Sequence, residues 1–261
     1  MDKEGEPLIN RRVEELTQQR FDGICQPCLA EFIGTCMFVF IGCMSVQDPL
    51  GPASKDNAPN AGAVAVAHGF TIALLAVAFG GISGGHFNPA VTLGVWIAGG
   101  IKPGLALVYM VVQFIGAVLG AGLCRGVLTE HVYVDVIRGG AHTLGPDVSP
   151  AQGILAEAVM TLLLVLTFIL SAVDEQTKSP LAPLAIGFAV TCDILAGLST
   201  TGASMNPARS AGPAIALTVY DSSVWKYHYV YWAGPVIGAT LAGILYRLFF
   251  ASSDKRFILQ K

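Results

Sequence analysis

Long apolar runs separated by short polar segments form the hydropathy pattern of this chain. Six of these runs have the length, about 20 residues, that a helix needs to cross the hydrocarbon core of a bilayer. They cover residues 28–47, 61–81, 105–128, 151–172, 180–199 and 229–250. Because a lipid-exposed backbone must satisfy its hydrogen bonds internally, we predict an all-α membrane protein with six transmembrane helices.

Two further apolar runs, 88–97 and 206–217, are too short to cross a membrane. At about 1.5 Å per residue, each extends roughly halfway through a hydrocarbon layer of about 30 Å. Each run begins with Asn-Pro-Ala, in which Asn caps a helix and Pro takes its first position. The two copies are Asn88-Pro89-Ala90 and Asn206-Pro207-Ala208. We therefore expect two re-entrant half-helices that are buried in the protein or line a cavity.

The second half of the chain repeats the first, which indicates an internal duplication. Gly69 precedes Asn88 by 19 residues, and Gly187 precedes Asn206 by 19 residues. The pairs Ala30-Glu31 and Ala156-Glu157, and the pairs Gly116-Ala117 and Gly238-Ala239, also correspond. Each repeat holds an odd number of spans, so the second copy must be inverted and the half-helices would meet near the membrane midplane.

The predicted organisation has five parts. They are an N-terminal segment 1–27, a first repeat 28–128, a connecting loop 129–150, a second repeat 151–250 and a tail 251–261. Ten basic residues fall on the side of the termini: Lys3, Arg11, Arg12, Arg20, Lys102, Lys178, Arg247, Lys255, Arg256 and Lys261. Three fall on the other side: Lys55, Arg138 and Lys226. By the positive-inside rule, both termini are expected to be cytoplasmic and the connecting loop extracellular, in the plasma membrane or an intracellular membrane.

The composition supports the membrane assignment and excludes other classes. Of 261 residues, 53% are hydrophobic and 13% charged, and the mean hydropathy is +0.61, which excludes a soluble domain. A net charge of −3 gives no basis for a nucleic-acid partner. The sequence shows no spaced metal ligands, no nucleotide-binding glycine loop and no paired catalytic carboxylates, so we expect no metal, no cofactor and no enzymatic activity.

The half-helices predict a distinct electrostatic site. Two helix N-termini that face one point create a positive potential, which repels cations, including hydronium. The side chains of Asn88 and Asn206 would offer N–H groups to a hydrogen-bonding solute such as water. Glu31 and Glu157 are expected to accept hydrogen bonds from the non-helical backbone before each half-helix, although a proton-relay pair is the alternative.

Four further side chains are candidates for function. Arg209, directly after the second Asn-Pro-Ala, is expected to line a narrow aqueous path as a fixed charge, with backbone binding alone as the alternative. His68 is expected to face the same path, with a packing role in its span as the alternative. Cys43, near the outer end of the first span, would be a redox gate if it faced water. Asp193 has no role that the sequence reveals.

The motifs resemble those of one family over roughly residues 28–250. The first motif is Ser83-Gly84-Gly85-His86-Phe87-Asn88-Pro89-Ala90-Val91-Thr92-Leu93-Gly94. The second motif is Met205-Asn206-Pro207-Ala208-Arg209-Ser210. This pattern resembles the aquaporins, or major intrinsic proteins. The resemblance implies the aquaporin fold, a homotetramer in the lipid bilayer with a pore in each protomer, a constriction at the two Asn residues, and a second constriction beyond it.

The resemblance places His68, Ile194, Ala203 and Arg209 at the second constriction. Water-selective members carry Phe and His where this chain has His68 and Ile194. In this respect the chain is similar to the ammonia-permeable vacuolar aquaporins of plants and to animal aquaporin-8. Ser210 stands where glycerol-conducting members carry Asp, which disfavours glycerol. We therefore expect a passive channel for water, and also for hydrogen peroxide and ammonia, that excludes protons and ions.

Two alternatives from other classes remain at this stage. Inverted repeats with broken helices also build coupled secondary transporters, which would need a coupling-ion site at Glu31, Glu157 or Asp193. A junction-forming membrane protein with low conductance is the other alternative. The loops 129–150 and 218–228 lack a large apolar patch, which argues mildly against it.

Overall fold

The computed structural model describes residues 8–47 and 60–258 of the chain. Three of the basic residues counted above, Lys3, Lys55 and Lys261, lie outside these ranges, as do the outermost parts of the N-terminal segment and of the tail. Within the described ranges the chain forms helices joined by loops.

Nine α-helices, numbered in chain order, make up most of the described chain. They are α1 Leu8–Arg20, α2 Gln26–Met44, α3 Ala61–Ser83, α4 Pro89–Ala98, α5 Pro103–Val127, α6 Pro150–Phe168, α7 Ala182–Gly197, α8 Pro207–Leu217 and α9 Val230–Leu245. Single π-helical turns at Phe21–Cys25, Ile169–Val173 and Tyr246–Phe250 join α1 to α2 and extend α6 and α9.

The helices α2, α3, α5, α6, α7 and α9 coincide with the six long apolar runs. Five helical stretches in the described ranges are long and apolar enough to cross a membrane: Glu15–Met44, Ala61–Ser83, Pro103–Val127, Pro150–Val173 and Ser222–Phe250. The sixth of these helices, α7, is shorter: its 16 residues form about 24 Å of helix. It is apolar along most of its length, which suits the same environment.

Close contacts between small residues join the spans within each repeat, as is usual for helices in lipid. A Cβ atom added to Gly116 in α5 would lie 2.4 Å from the carbonyl oxygen of Phe32 in α2. Likewise, a Cβ atom on Gly238 in α9 would lie 2.3 Å from the carbonyl oxygen of Ala158 in α6. The two repeats thus use equivalent glycines for equivalent helix contacts.

The two repeats meet at a second pair of glycines. A Cβ atom on Gly69 in α3 would lie 2.5 Å from the carbonyl oxygen of Gly187 in α7, and the reciprocal distance is also 2.5 Å. These residues marked the duplication in the sequence. Their mutual contact brings α3 and α7 together.

The short helices α4 and α8, of 10 and 11 residues, each begin after a capping Asn. The Asn88 side chain accepts a hydrogen bond from the N–H of Ala90, and Asn206 accepts from the N–H groups of Ala208 and Arg209. Pro occupies the first helical position in both. The first turns, formed by Pro89, Ala90, Pro207 and Ala208, are buried. Both half-helices therefore lie within the bundle.

Candidate functional site

The N-termini of α4 and α8 meet, and each capping Asn binds the backbone that leads into the other half-helix. Nδ2 of Asn88 donates a hydrogen bond of 2.9 Å to the carbonyl oxygen of Met205. Nδ2 of Asn206 donates one of 3.0 Å to the carbonyl oxygen of Phe87. Because an amide nitrogen carries two hydrogens, each Asn keeps one N–H for a further acceptor.

The backbone before each Asn is strained. Phe87 and Met205 adopt φ values of +48° and +50°, in the left-handed region. A non-glycine residue held in such a conformation costs of order 1–3 kcal/mol and persists only when its surroundings enforce it. The segments that lead into α4 and α8 therefore need support from other elements.

Glu31 supports the first of these segments from α2. Its carboxylate accepts hydrogen bonds from the N–H groups of His86 and Phe87 at 2.9 and 2.6 Å. The hydroxyl of Ser83 and Nε2 of Gln113 donate to the same carboxylate at 2.7 and 2.8 Å. Four donors thus surround a carboxylate that is fully buried.

Glu157 supports the second segment from α6 in the same manner. The N–H groups of Ser204 and Met205 donate to its carboxylate at 2.9 and 2.7 Å. The hydroxyl of Thr201 donates at 2.6 Å. The structure therefore places both glutamates against irregular backbone. Their carboxylate oxygens accept hydrogen bonds from these segments, which favours the supporting role over a proton-relay pair.

Arg209 is buried at the start of α8 and binds two groups. Nη1 donates a hydrogen bond of 2.8 Å to the carbonyl oxygen of Gly140 in the connecting loop. Nε lies 3.3 Å from Nε2 of His68. Since Nδ1 of His68 lies 2.8 Å from the carbonyl oxygen of Val64 and a carbonyl only accepts, Nδ1 carries the hydrogen and Nε2 accepts from Arg209.

A narrow cavity, called the conduit below, lies at this site. Its lining comes from both repeats and includes Asn88, Asn206, His68, Ile194, Ala203 and Arg209. The space open to the centre of a water molecule is about 20 Å³. A cavity needs about 10–15 Å³ by this measure to hold one water molecule. The conduit therefore has room for about one water molecule.

Wider cavities lie at both ends of the conduit. His68 and Arg209 line the conduit and also a cavity of about 170 Å³ beneath the connecting loop. Ile186 lines the conduit and also a cavity of about 650 Å³ at the opposite end, which Lys178 and Ser179 border. The shared residues place the conduit between the two wider cavities.

Two histidines at the site received no role from the sequence. His86 lines the conduit, and its Nδ1 lies 3.1 Å from the hydroxyl of Thr92. Its position two residues before Asn88 could have signalled this. His142 of the connecting loop lies 2.8 Å from the hydroxyl of Ser210. Burial, followed by the positive charge of Arg209, holds the pKa of His142 well below its usual range, so the ring is neutral.

The structure contradicts the condition on which a redox gate at Cys43 depended. The side chain is 0% exposed and therefore does not face water. The connecting loop covers it at Gly140, where an added Cβ atom would lie 2.9 Å from the Cys43 sulfur. A thiol packed in this way is inert unless the loop moves.

Asp193 is also buried, in α7 beside the conduit-lining Ile194. Its side chain is 3% exposed, and Oδ2 has no hydrogen-bond partner among the described residues. It faces away from the conduit, whose lining does not include it. No function follows from this placement.

Comparison with known proteins agrees with the fold and the site. The sequence model of the family described as major intrinsic protein matches residues 16–246. Aquaporin-8 of Rattus norvegicus is 40% identical over 242 residues, which cover 92% of this chain and 87% of the relative. Aquaporin PIP1-5 of Zea mays is 39% identical over 249 residues, which cover 93% of this chain and 83% of the relative.

A solved structure shows the same fold. The X-ray structure of the aquaglyceroporin from Plasmodium falciparum matches with a TM-score of 0.75 over 85% of this chain and 95% of that chain, at 22% identity. The predicted fold class, six transmembrane helices and two half-helices in inverted repeats, is thereby confirmed. With the family match over most of its length, the chain belongs to the major intrinsic proteins, the aquaporin family of membrane channels.

Proposed function

We propose that the protein is a passive channel that conducts water in both directions down an osmotic gradient. The observation that carries this proposal is the conduit of about 20 Å³, which lies between two wider cavities and is lined by both Asn side chains. Its size suits single water molecules. Passage needs no covalent chemistry, so no enzymatic activity, metal or cofactor belongs to the proposal.

The charges along the conduit support exclusion of protons and other cations. The N-termini of α4 and α8 carry partial positive charge toward the point where Asn88 and Asn206 meet. Arg209 adds a full positive charge at the end beneath the connecting loop. A water molecule can accept a hydrogen bond from the free N–H of each Asn. A cation would lose its hydration shell there and would meet only positive potential.

The residues His68, Ile194, Ala203 and Arg209 form the selectivity filter in this proposal. Ile194 gives the conduit an apolar wall, while Nε2 of His68 is already occupied by Arg209. Hydrogen peroxide and ammonia are small, form hydrogen bonds and are the further solutes that we assign to the channel. The similarity to aquaporin-8 of Rattus norvegicus supports a channel of this branch.

The proposal includes the assembly and the orientation. Each repeat, 28–128 and 151–250, contributes one half-helix to the pore of its own protomer, and four copies form a homotetramer in the bilayer. Both termini are cytoplasmic and the loop 129–150 is extracellular, as the distribution of basic residues favours. The membrane is the plasma membrane or an intracellular membrane.

Stopped-flow light scattering on proteoliposomes tests the proposal. Under an impermeant sucrose gradient, vesicles with the protein should shrink much faster than protein-free vesicles, and the rate should not respond to a sodium or proton gradient. A rate equal to that of protein-free vesicles would contradict a water channel. A rate that follows an ion gradient would favour a coupled transporter, for which Glu31 and Glu157 are poorly suited because backbone donors occupy them.

A further inference from the structure

Gly42 of α2 faces the pair formed by His68 and Arg209. A Cβ atom placed on Gly42 would lie 2.5 Å from Nε2 of His68 and 3.0 Å from Nε of Arg209. Non-bonded heavy atoms reach their optimal separation at about 3.5–4.0 Å. A side chain at position 42 would therefore displace at least one of these two groups.

Neighbouring groups hold the imidazole of His68 on three sides. Its Nδ1 is tied to the carbonyl oxygen of Val64, and the ring of Phe38 stands edge-on at a centroid distance of 5.6 Å. Its Nε2 faces Arg209. The remaining side opens on the conduit and on the cavity beneath the connecting loop, both of which His68 lines. A ring pushed away from position 42 therefore moves into this space.

The residue after Gly42 supports the other partner of Arg209. A Cβ atom on Gly140 would lie 2.8 Å from Cα of Cys43, so the loop backbone packs directly on α2. Gly140 has a φ of +69°, which favours glycine. Its carbonyl oxygen binds Nη1 of Arg209. One turn of α2 thus lies against both groups that bind the guanidinium of Arg209.

We propose that Gly42 is a positioning residue that keeps the passage open at His68 and Arg209. The absence of a side chain at position 42 leaves the space in which His68 lies against Arg209 and outside the path of the solute. The assignment rests on the proposed channel function, because it treats the conduit at His68 as the selective passage.

A double-mutant cycle of G42A and H68A in proteoliposomes tests the role of Gly42. G42A should lower water permeability roughly tenfold, because overpacking by one methyl group obstructs the passage. In G42A/H68A the imidazole is absent, so the permeability should equal that of H68A alone. G122A is the matched control, since a Cβ atom on Gly122 in α5 would have no atom within 4 Å. It should behave as the wild type.

Two results would overturn the proposal: wild-type permeability in G42A, or a loss in G42A that is equally large without the His68 ring. If G42A fails to accumulate in the membrane, the accumulation and thermal unfolding of G42A/H68A decide, because removal of the ring must then restore stability. A wild-type protein without water flux would contradict the proposed function. The unfolding cycle would still test whether Gly42 provides the space for His68.

Discussion

Glu31 accepts a hydrogen bond of 2.6 Å from the backbone N–H of Phe87, the strained residue directly before Asn88. The matching bond from Met205 to Glu157 measures 2.7 Å. Neither glutamate lines the conduit. The direction of both Asn side chains thus depends on two buried carboxylates that lie outside the path of the solute.

Replacement of Glu31 by Gln should lower both stability and water permeability. All four groups that bind Glu31 are donors, whereas Gln offers one acceptor oxygen and adds two N–H donors. Hydrogen bonds to a charged group contribute about 1.5–3 kcal/mol each, so E31Q should unfold at a clearly lower temperature. Thermal unfolding in detergent and stopped-flow shrinkage measure the two effects. E15Q, at an exposed position of α1, is the control, and equal behaviour of the two variants would contradict the supporting role.

Replacement of Arg209 by Val should produce a filter that leaks protons or larger solutes. The change removes the fixed charge and widens the conduit at His68. A trapped pH-sensitive dye reports proton flux, and light scattering reports urea flux. R125V is the control. Arg125 binds Tyr220 and does not line the conduit, so this variant should keep the selectivity of the wild type. Unchanged selectivity in R209V would count against the filter assignment.

The ion pair of Arg138 and Asp221 should stabilise the protein in a pH-dependent way. Hydrogen bonds from Ser223, followed by the one from Arg138, lower the pKa of Asp221 to about 2. The stabilisation is therefore complete above the unfolded pKa of about 3.9 and is lost as the pH falls through about 2. Because the pair is partly exposed, D221N should cost less than about 1 kcal/mol at neutral pH.

Thermal unfolding of the wild type and of D221N over a pH series measures this effect. The unfolding temperatures should differ at neutral pH and converge between about pH 4 and pH 2. A difference that stays constant through this range would show that the Asp221 carboxylate is not the source of the stabilisation.

The half-helices could be predicted because they depend on local sequence. Run length, a capping Asn and Pro at the first position all lie within a few residues of the start of α4 and α8. Irregular backbone in a membrane needs hydrogen-bond acceptors, and this requirement predicted the supporting roles of Glu31 and Glu157. These inferences required no knowledge of how distant segments pack.

The surroundings of Arg209 could not be predicted in this way. Gly140 and His142 belong to the connecting loop, which has no hydropathy period, and only its folding onto α2 brings them to the site. The same packing buries Cys43, so the condition on which a redox gate at Cys43 depended is not met. Gly42 carries no signal in the sequence, because the space beside a glycine is a property of the fold.

Replacement of Ile194 by His should separate ammonia from water in the proposed filter. Ile194 is an apolar part of the conduit that also contains His68. The resemblance to the aquaporins implies that water-selective members carry His at the matching position. A second imidazole would narrow the conduit and add a polar group, so ammonia permeability should fall roughly tenfold while water flux changes less. The pH change that an ammonium gradient produces inside dye-loaded proteoliposomes measures the ammonia flux. I194V, which keeps the wall apolar, should retain it. Equal ammonia fluxes in I194H and I194V would remove the basis for assigning ammonia to this channel. The proposal of water conduction would be unaffected, because it rests on the conduit and its two Asn residues.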